Sequence, residues 1–472
     1  MRPLALAPRR VFDGYGFAVR GVSPYVRPRS AEEVASIFAR ATAEGISVGM
    51  RGSGRSYGDA ALNSAGIVMD MTGFDKVLSF DAEHGVAEVE PGVTISQLWR
   101  HALPHGYWPS VVSGTMAPTL GGCAAMNVHG KNHFKVGGTG DSILEADLAT
   151  PAGELLRVSR TENADLFHGA VAGFGMLGTF TRLKLKLKKI HSGTMRVRQI
   201  PVGNLAEQFA VFEQEEAGAD YLVSWVDCIR GGSGLGRGQI HVAHYLKEGE
   251  DADPKRTLDP TRQDLPPHIL GVPRSLVPVV LKMFNTRHGM GLLNLGKYLA
   301  ARFGPKGAYL QGHTAFAFLL DYVPNFRSVY EPGGFIQYQP FVPKEAAPQV
   351  FGEILRRTQA AGLPSFLGVM KRHRPDAFLL SHALDGYSFA MDYPVTASNR
   401  ADLWKLCAVL SDLVVEAGGR FYPAKDLTLR PTDFRRAWGQ ERIARFQSLR
   451  RRADPSGVLQ TDWARRVGVD EA

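Results

Sequence analysis

The chain has three cysteines among its 472 residues, Cys123, Cys228 and Cys407, far apart and odd in number. That pattern makes neither a disulfide framework nor a cysteine metal knot, and it points to a reducing compartment. No apolar run approaches the ~18 residues that a membrane-spanning helix needs. Residues Met1 to Arg10 offer no usable apolar core, so no signal peptide is expected. A cytoplasmic location, or a peripheral one at a membrane, follows as the expectation. Acidic residues are missing from one long stretch. Between Leu265 and Leu310 there is no Asp or Glu, while Arg274, Lys282, Arg287, Lys297, Arg302 and Lys306 supply six positive charges of a chain whose net charge is +9. This segment (265–310) is also rich in Leu, Val, Ile and Met, which suits an anionic membrane surface or a lipid phosphate. A packed helical pair with solvated lysines is the plainer alternative. These cations are interleaved with aliphatics rather than stacking aromatics, which argues against nucleic acid.

The remaining composition is that of a globular protein, with 44% hydrophobic residues and a mean hydropathy of −0.12. The length would hold roughly three average domains, and interleaving reduces the expectation to two. The richest local feature is Arg51-Gly-Ser-Gly-Arg-Ser-Tyr-Gly-Asp59, which follows the apolar run Ile46–Met50. Three glycines, two arginines and small hydroxyls make a loop whose backbone N–H groups can wrap a pyrophosphate. A second loop of the same character, Ser113-Gly-Thr-Met-Ala-Pro-Thr-Leu-Gly-Gly122, leads into Val128-His-Gly-Lys-Asn-His133. Two such loops imply a large, extended, phosphate-bearing cofactor.

Periodicity gives the coarse organisation. Ser30 to Ala43 has helical spacing, with Ser30 as N-cap and acids in the first turn. Gly66–Met71 and Gly85–Glu90 read as strands, Thr94–Ala102 as a short helix, and Thr181–Lys188 as a strict period-two strand with one charged face. Asp220–Asp227, Phe335–Gln339 and Tyr387–Asp392 are strand candidates of a second α+β unit with an antiparallel sheet. Ala401–Ala417 is an amphipathic helix ended by Gly418-Gly419. Gly231–Gly238 reads as a flexible loop. No internal repeat is evident.

The order RGSGRSYGD, EPGVTISQL, SGT…GG…HGKNH resembles the vanillyl-alcohol-oxidase type of FAD-binding oxidoreductase. Within that type it is most similar to the decaprenylphosphoryl-β-D-ribose 2′-oxidases. Gly333-Gly-Phe-Ile-Gln-Tyr-Gln339, Met391-Asp-Tyr-Pro394 and Gly419-Arg-Phe-Tyr-Pro-Ala-Lys-Asp426 extend the likeness over most of the chain, with a weak middle from Gln199 to Ala317. The resemblance implies an α+β fold: a two-part FAD-binding domain (1–190 and 416–472) around a substrate domain (191–415).

It also implies FAD held by Arg51, Gly52, Ser53, Gly54, Arg55, Ser56, Tyr57 and Gly58 of the first loop. Gly114, Thr115, Gly121 and Gly122 of the second loop join them, with Asn127, Gly130 and Asn132 around the HGKNH stretch. Gly173-Phe-Gly-Met-Leu-Gly178 matches a dinucleotide fingerprint literally, but a helix precedes it and a strand follows, the reverse of the required context. Gly173 and Gly178 are therefore expected to let backbone pass close to the flavin.

A flavin oxidising an alcohol needs a base for the hydroxyl proton and positive charge near the N1–C2=O end of the ring. The resemblance places Lys425 at the flavin and the substrate; a surface lysine paired with Asp426 is the alternative. It places His129 and Lys131 on the substrate side, with Lys131 suited to an anionic phosphate. His129-x-x-x-His133 has metal-ligand spacing, but Gly130 and the absence of neighbouring acids argue against a metal site. Tyr57 and Tyr422 can pack on the flavin or bond substrate. Gln337 and Gln339 share one strand face and suit sugar hydroxyls, unless that face is solvated. Lys371 is a candidate for the sugar-phosphate end.

Two departures from the family pattern matter. Arg55 stands where relatives with covalent FAD carry histidine, so FAD is expected to be non-covalent. Ala390 stands where several decaprenylphosphoryl-ribose oxidases carry a flavin-facing cysteine, so a thiol-directed covalent inhibitor is expected to fail. The implied reaction is oxidation of the ribose 2′-hydroxyl of a polyprenyl-phosphoryl-ribose, with a short-chain NAD(P)H reductase as partner. An aldonolactone, alditol or other soluble-sugar oxidase is one alternative, and a non-catalytic flavin-carrying membrane subunit another.

Overall fold

The computed structural model describes residues 3–269 and 271–470; Met1 and Arg2 of the N-terminal stretch and Leu270 of the basic segment lie outside them. The fold mixes helices with largely antiparallel sheets. The first helix, Ala31–Glu44, is capped as its sequence demands: Ser30 Oγ accepts from Glu33 N, and Gly45 ends it in the left-handed region. Its buried face, Val34, Ile37, Phe38 and Ala41, packs on a four-stranded sheet. There Ile67–Asp70 runs parallel to both Arg20–Val26 and Val48–Arg51. The apolar strand Val48–Arg51 delivers the chain directly into the first glycine loop.

A five-stranded antiparallel sheet follows, with Thr179–Lys186 at its centre between Val86–Val89 and Ile143–Ala149. Alternation sets its two faces. Leu183 and Leu185 are buried, while Arg182 meets Asp147 at 2.8 Å and Lys184 meets Glu88 at 3.2 Å.

The third sheet has nine strands, all pairing antiparallel. Tyr221–Val226, Phe335–Tyr338 and Gly386–Pro394 lie in it. Gly231–Gly238, expected as a flexible loop, is the connection of a hairpin. It joins Tyr221–Val226 to Gly238–Tyr245 through a short 3-10 turn and is closed by the Asp227–Arg237 ion pair at 2.9 Å.

The helix Arg400–Glu416 ends as expected, with Gly418 at φ 73°. The strand Arg420–Phe421 then joins the edge of the large sheet, beside Pro340–Phe341. Beyond it the chain crosses to the N-terminal sheets. Ala424 O accepts from Tyr57 N at 2.8 Å, Val458 O accepts from Val48 N at 2.7 Å, and Asp462 holds Ser64 by two hydrogen bonds.

Candidate active site

The loops and the large sheet enclose one cavity of about 550 Å³. Its floor is one face of the antiparallel sheet, set by register. Trp225 lies opposite Val369, Val369 opposite Ala390, and Val223 opposite His241, and all five line the cavity. Leu367, Val369 and Lys371 alternate along one strand and share that face. Among the described residues the wall carries six cations, Arg51, Arg55, Lys131, Lys297, Lys371 and Lys425, and no Asp or Glu. Such a wall is built for a strongly anionic occupant.

The two glycine loops form one end. They approach so closely that a Cβ on Gly52 would lie 2.1 Å from Thr119 Oγ1. The second loop is fixed from behind by Asp321, which accepts from Thr115 Oγ1 at 2.6 Å and Met116 N at 2.7 Å. Residues Arg51 to Tyr57, Gly114, Thr115, Gly121, Gly122 and Gly178 line the cavity. The Arg51 guanidinium itself is engaged by the carbonyls of Ala61 and Asp13, both at 3.0 Å.

Five expected contacts are placed elsewhere. Gly58, Asn127, Gly130, Asn132 and Gly173 do not line the cavity. Gly58 lets the C-terminal segment close on the loop, since a Cβ there would sit 1.9 Å from Asp426 O. Gly173 packs on the Gly169 carbonyl. Asn127 bridges Asp376 and Gly140 N, and Asn132 donates to Ser110 O. These residues shape the wall from behind, a role that motif order alone does not separate from direct contact.

Lys425 is not paired with Asp426; that carboxylate is held by Trp463 Nε1 and Arg466. The Lys425 ammonium instead lies 3.5 Å from the Tyr57 ring centroid, facing the cavity. Burial pushes it below an ordinary lysine, an effect that the field of Asp392 opposes. Asp392 is fully buried and receives Gln337 Nε2 on Oδ1 at 2.5 Å, while its Oδ2 has no partner. Burial raises its carboxyl well above the ordinary range, against the Gln337 hydrogen bond and the charge of Lys425. Burial thus disfavours the charged form of both groups, while the charge of each favours the charged form of the other.

Gln337 and Gln339 are not on a solvated face: they are 8% and 5% exposed and line the cavity. Gln339 Nε2 lies 3.0 Å from His129 Nε2 and 3.3 Å from Ser388 Oγ. Burial, with the charge of Lys371, holds His129 neutral. His129 and Tyr422 rings are 5.1 Å apart, and Tyr57 packs on Tyr15 at 4.9 Å. Lys131 donates to the Phe316 carbonyl, and burial brings it down to about 7; Lys371 is brought down to about 8. Ala390 offers the cavity a methyl and no nucleophile, and none of the three buried cysteines lines it.

The cavity has four polar atoms on or against its wall without protein partners: Arg55 Nε, Tyr57 OH, His129 Nδ1 and Asp392 Oδ2. Orphaned buried groups beside a cationic, glycine-walled cavity fit a large ligand with phosphates at one end and ring acceptors at the other.

Asp392, Lys297, His241 and Trp225 belong to this site, and motif reading misses them. The legible signal for Asp392 is a carboxylate inside an otherwise apolar strand, Gly386–Pro394. Lys297 hides among the basic residues of a segment that reads as surface.

The fold and cavity define an FAD-binding oxidoreductase. The FAD binding domain family matches residues 22–159, which contain both glycine loops. The decaprenylphosphoryl-β-D-ribose oxidase of Mycolicibacterium smegmatis is 31% identical over 458 residues, covering 96% of each chain. An uncharacterized protein of Streptomyces coelicolor is 26% identical over 80% of this chain and all of its own length. Cytokinin dehydrogenase 5 of Arabidopsis thaliana is 33% identical over 206 residues, 42% of this chain and 36% of that protein. The chain belongs to the decaprenylphosphoryl-β-D-ribose oxidase family of FAD-dependent oxidoreductases, enzymes acting on CH–OH groups.

Proposed function

We propose that the enzyme oxidises the 2′-hydroxyl of a polyprenyl-phosphoryl-ribose to the 2′-ketone, as a step toward arabinan precursors. The observation that carries this reading is the cavity lining of six basic side chains, with no carboxylate among them and only the neutral-leaning Asp392 behind Gln337. Arg55 and the glycine loops account for the cofactor's phosphates; Lys131, Lys371 and Lys297 remain for a second anionic group. A soluble lactone or alditol would leave them unmatched. Bound FAD supplies the two-electron acceptor for the carbon-bound hydrogen. Gln337 and Gln339 offer amides to the sugar hydroxyls, and Tyr57 and Tyr422 exclude water from the ring faces. The Lys425 amine accepts the hydroxyl proton and is left charged where negative charge develops. With Arg55 in the first loop and no cysteine in the wall, FAD is held without a covalent bond. A short-chain NAD(P)H reductase would complete an epimerisation by reducing the ketone from the other face.

The basic segment supports a lipid-borne substrate. Its helices Val277–Met283 and Arg287–Phe303 expose Met283, Leu292 and Phe303 at 78%, 62% and 80%, among other aliphatics. Asn294 is the buried residue of the longer helix while Leu292, Leu295 and Leu299 are exposed, so the helix does not bury its leucines in the core. With Lys282, Arg287, Arg302 and Lys306 on the same acid-free segment, the complementary surface is an anionic bilayer. No helix among the described residues is long and apolar enough to cross a membrane.

Flotation with liposomes containing anionic lipid is expected to carry the protein. Changing Lys282, Arg287, Arg302 and Lys306 to glutamate is expected to abolish flotation; flotation unchanged by that variant would remove the membrane assignment. For the substrate, turnover with a short prenyl-phosphoryl-ribose is expected to exceed that with aldonolactones and alditols. The opposite order would move the assignment to soluble sugars.

A further inference from the structure

The helix Arg287–Phe303 has two sides with different business. Leu292, Leu295, Leu299 and Phe303 follow helical spacing along its exposed edge. Asn294, Lys297 and Tyr298 follow the same spacing on the edge that meets the large sheet. Asn294 Nδ2 donates to Asp227 Oδ1 at 2.9 Å, and the Arg237 guanidinium lies 4.9 Å from the Tyr298 ring centroid. Lys297 sits between these anchors. Its ammonium lies 4.3 Å from the Trp225 ring centroid and faces the cavity.

His241 and Lys131 line the same region; each cation lies close enough to His241 to help burial hold its ring neutral, near 3. Among the described residues no carboxylate is within ion-pair distance of Lys297 or Lys131. Lys131 has only the Phe316 carbonyl and the Phe316 ring, 4.5 Å away. Two ammonium groups drawn against aromatic rings, with no countercharge, lack an anion.

We propose that Lys297, with Lys131 and His241, forms the subsite for the phosphate of a lipid-borne substrate. On this assignment the helix Arg287–Phe303 reads the lipid on its outer edge and the phosphate on its inner edge. This deepens the sugar-phosphate reading above and rests on it for the substrate's identity. A helix is about 10 Å across, which sets the separation of its two edges. A prenyl chain attached to that phosphate can lead straight out past the apolar side chains. Ile269, Leu319, Val323 and Phe326 line the cavity and supply its apolar path.

The test is calorimetric binding of geranyl phosphate, geraniol and inorganic phosphate to the FAD-loaded full chain. Lys297→Met removes the charge and keeps the stem; Lys297→Arg keeps a charge. Lys297→Met is expected to weaken geranyl phosphate by about 10- to 100-fold, the weight of one charged contact, and geraniol by less than about twofold. Lys297→Arg is expected to recover most of the affinity, with FAD content and thermal midpoint unchanged in both variants. Equal weakening of geraniol and geranyl phosphate, or no change in either, would overturn the subsite. A Lys297 dependence seen with inorganic phosphate but not with geranyl phosphate would overturn its lipid character. If Lys297-dependent geranyl phosphate binding persists while prenyl-phosphoryl-ribose is not oxidised, the subsite stands and the sugar reading falls.

Discussion

Lys425→Ala is expected to lower kcat by about 10²- to 10⁴-fold, the range of a positioned proton-transfer group, while FAD stays bound. The Lys425 ammonium faces the cavity 3.5 Å from the Tyr57 ring centroid, with no carboxylate within ion-pair distance among the described residues. Burial depresses Lys425, against the field of Asp392, so a neutral amine can take a proton from a substrate hydroxyl. Lys425→Arg separates this role from simple charge. Arginine stays protonated, so it is expected to restore little activity although it restores the positive charge.

The pH dependence has a fixed sign. A lysine whose pKa is depressed in the folded protein becomes available as a base as pH rises through that depressed value. The rate should therefore climb well below the pH at which an ordinary lysine, near 10.4, deprotonates. Full activity in Lys425→Arg, or a rate that falls over that rise, would remove the proton-accepting role.

Arg466→Met is expected to destabilise the protein by about 3–5 kcal/mol, the cost of breaking a buried ion pair by removing one partner. Arg466 makes bidentate contact with Asp59, both at 2.8 Å, reaches Asp426 at 2.9 Å and donates to Leu429 O at 2.7 Å. Both carboxylates are 7% exposed at the side chain, and without the guanidinium they face one another uncompensated. Asp59 already has a carboxyl raised by burial, against the Arg466 hydrogen bond. Loss of Arg466 raises it further, so the deficit should shrink as pH falls and the Asp59 carboxyl protonates.

Asp59 ends the first glycine loop and Asp426 follows Lys425, so FAD retention should fall with stability. Urea unfolding at pH 8 and pH 5 reads both effects. A deficit below about 1 kcal/mol, the value of an exposed pair, would show that the C-terminal segment is held by other contacts.

Features that depend on local pattern were legible in the sequence. The Ser30 cap, the period-two strand around Leu183 and Leu185, the glycine stop after Ala417 and both phosphate-type loops follow from residue type and spacing. Whether Gln337 and Gln339 face solvent depends on which side of the sheet is covered, and alternation is silent on that. Gly58 and Gly173 need glycine for close approach of protein backbone, a requirement indistinguishable in sequence from approach to a cofactor. Asp392 and Lys425 are remote in sequence, and only folding brings them near enough for the charge of each to act on the other. Lys297 is the sharpest case. A helical wheel separates Asn294, Lys297 and Tyr298 from Leu292, Leu295 and Leu299, but the ordinary rule would bury the leucines. The structure instead buries Asn294 against Asp227 and sets Lys297 over the Trp225 ring and Arg237 over the Tyr298 ring.

An enzyme that holds FAD in this cavity and oxidises a phosphate-bearing sugar alcohol is reduced by its substrate in the absence of oxygen. The most direct test is the visible spectrum of the purified protein under anaerobic conditions, before and after addition of a short prenyl-phosphoryl-ribose. A flavin band near roughly 450 nm is expected to bleach on addition, together with formation of a ketone product two hydrogens lighter. A flavin band that persists with this compound but bleaches with lactones or alditols would contradict the substrate assignment. No flavin band, even after incubation with FAD, would contradict the account as a whole.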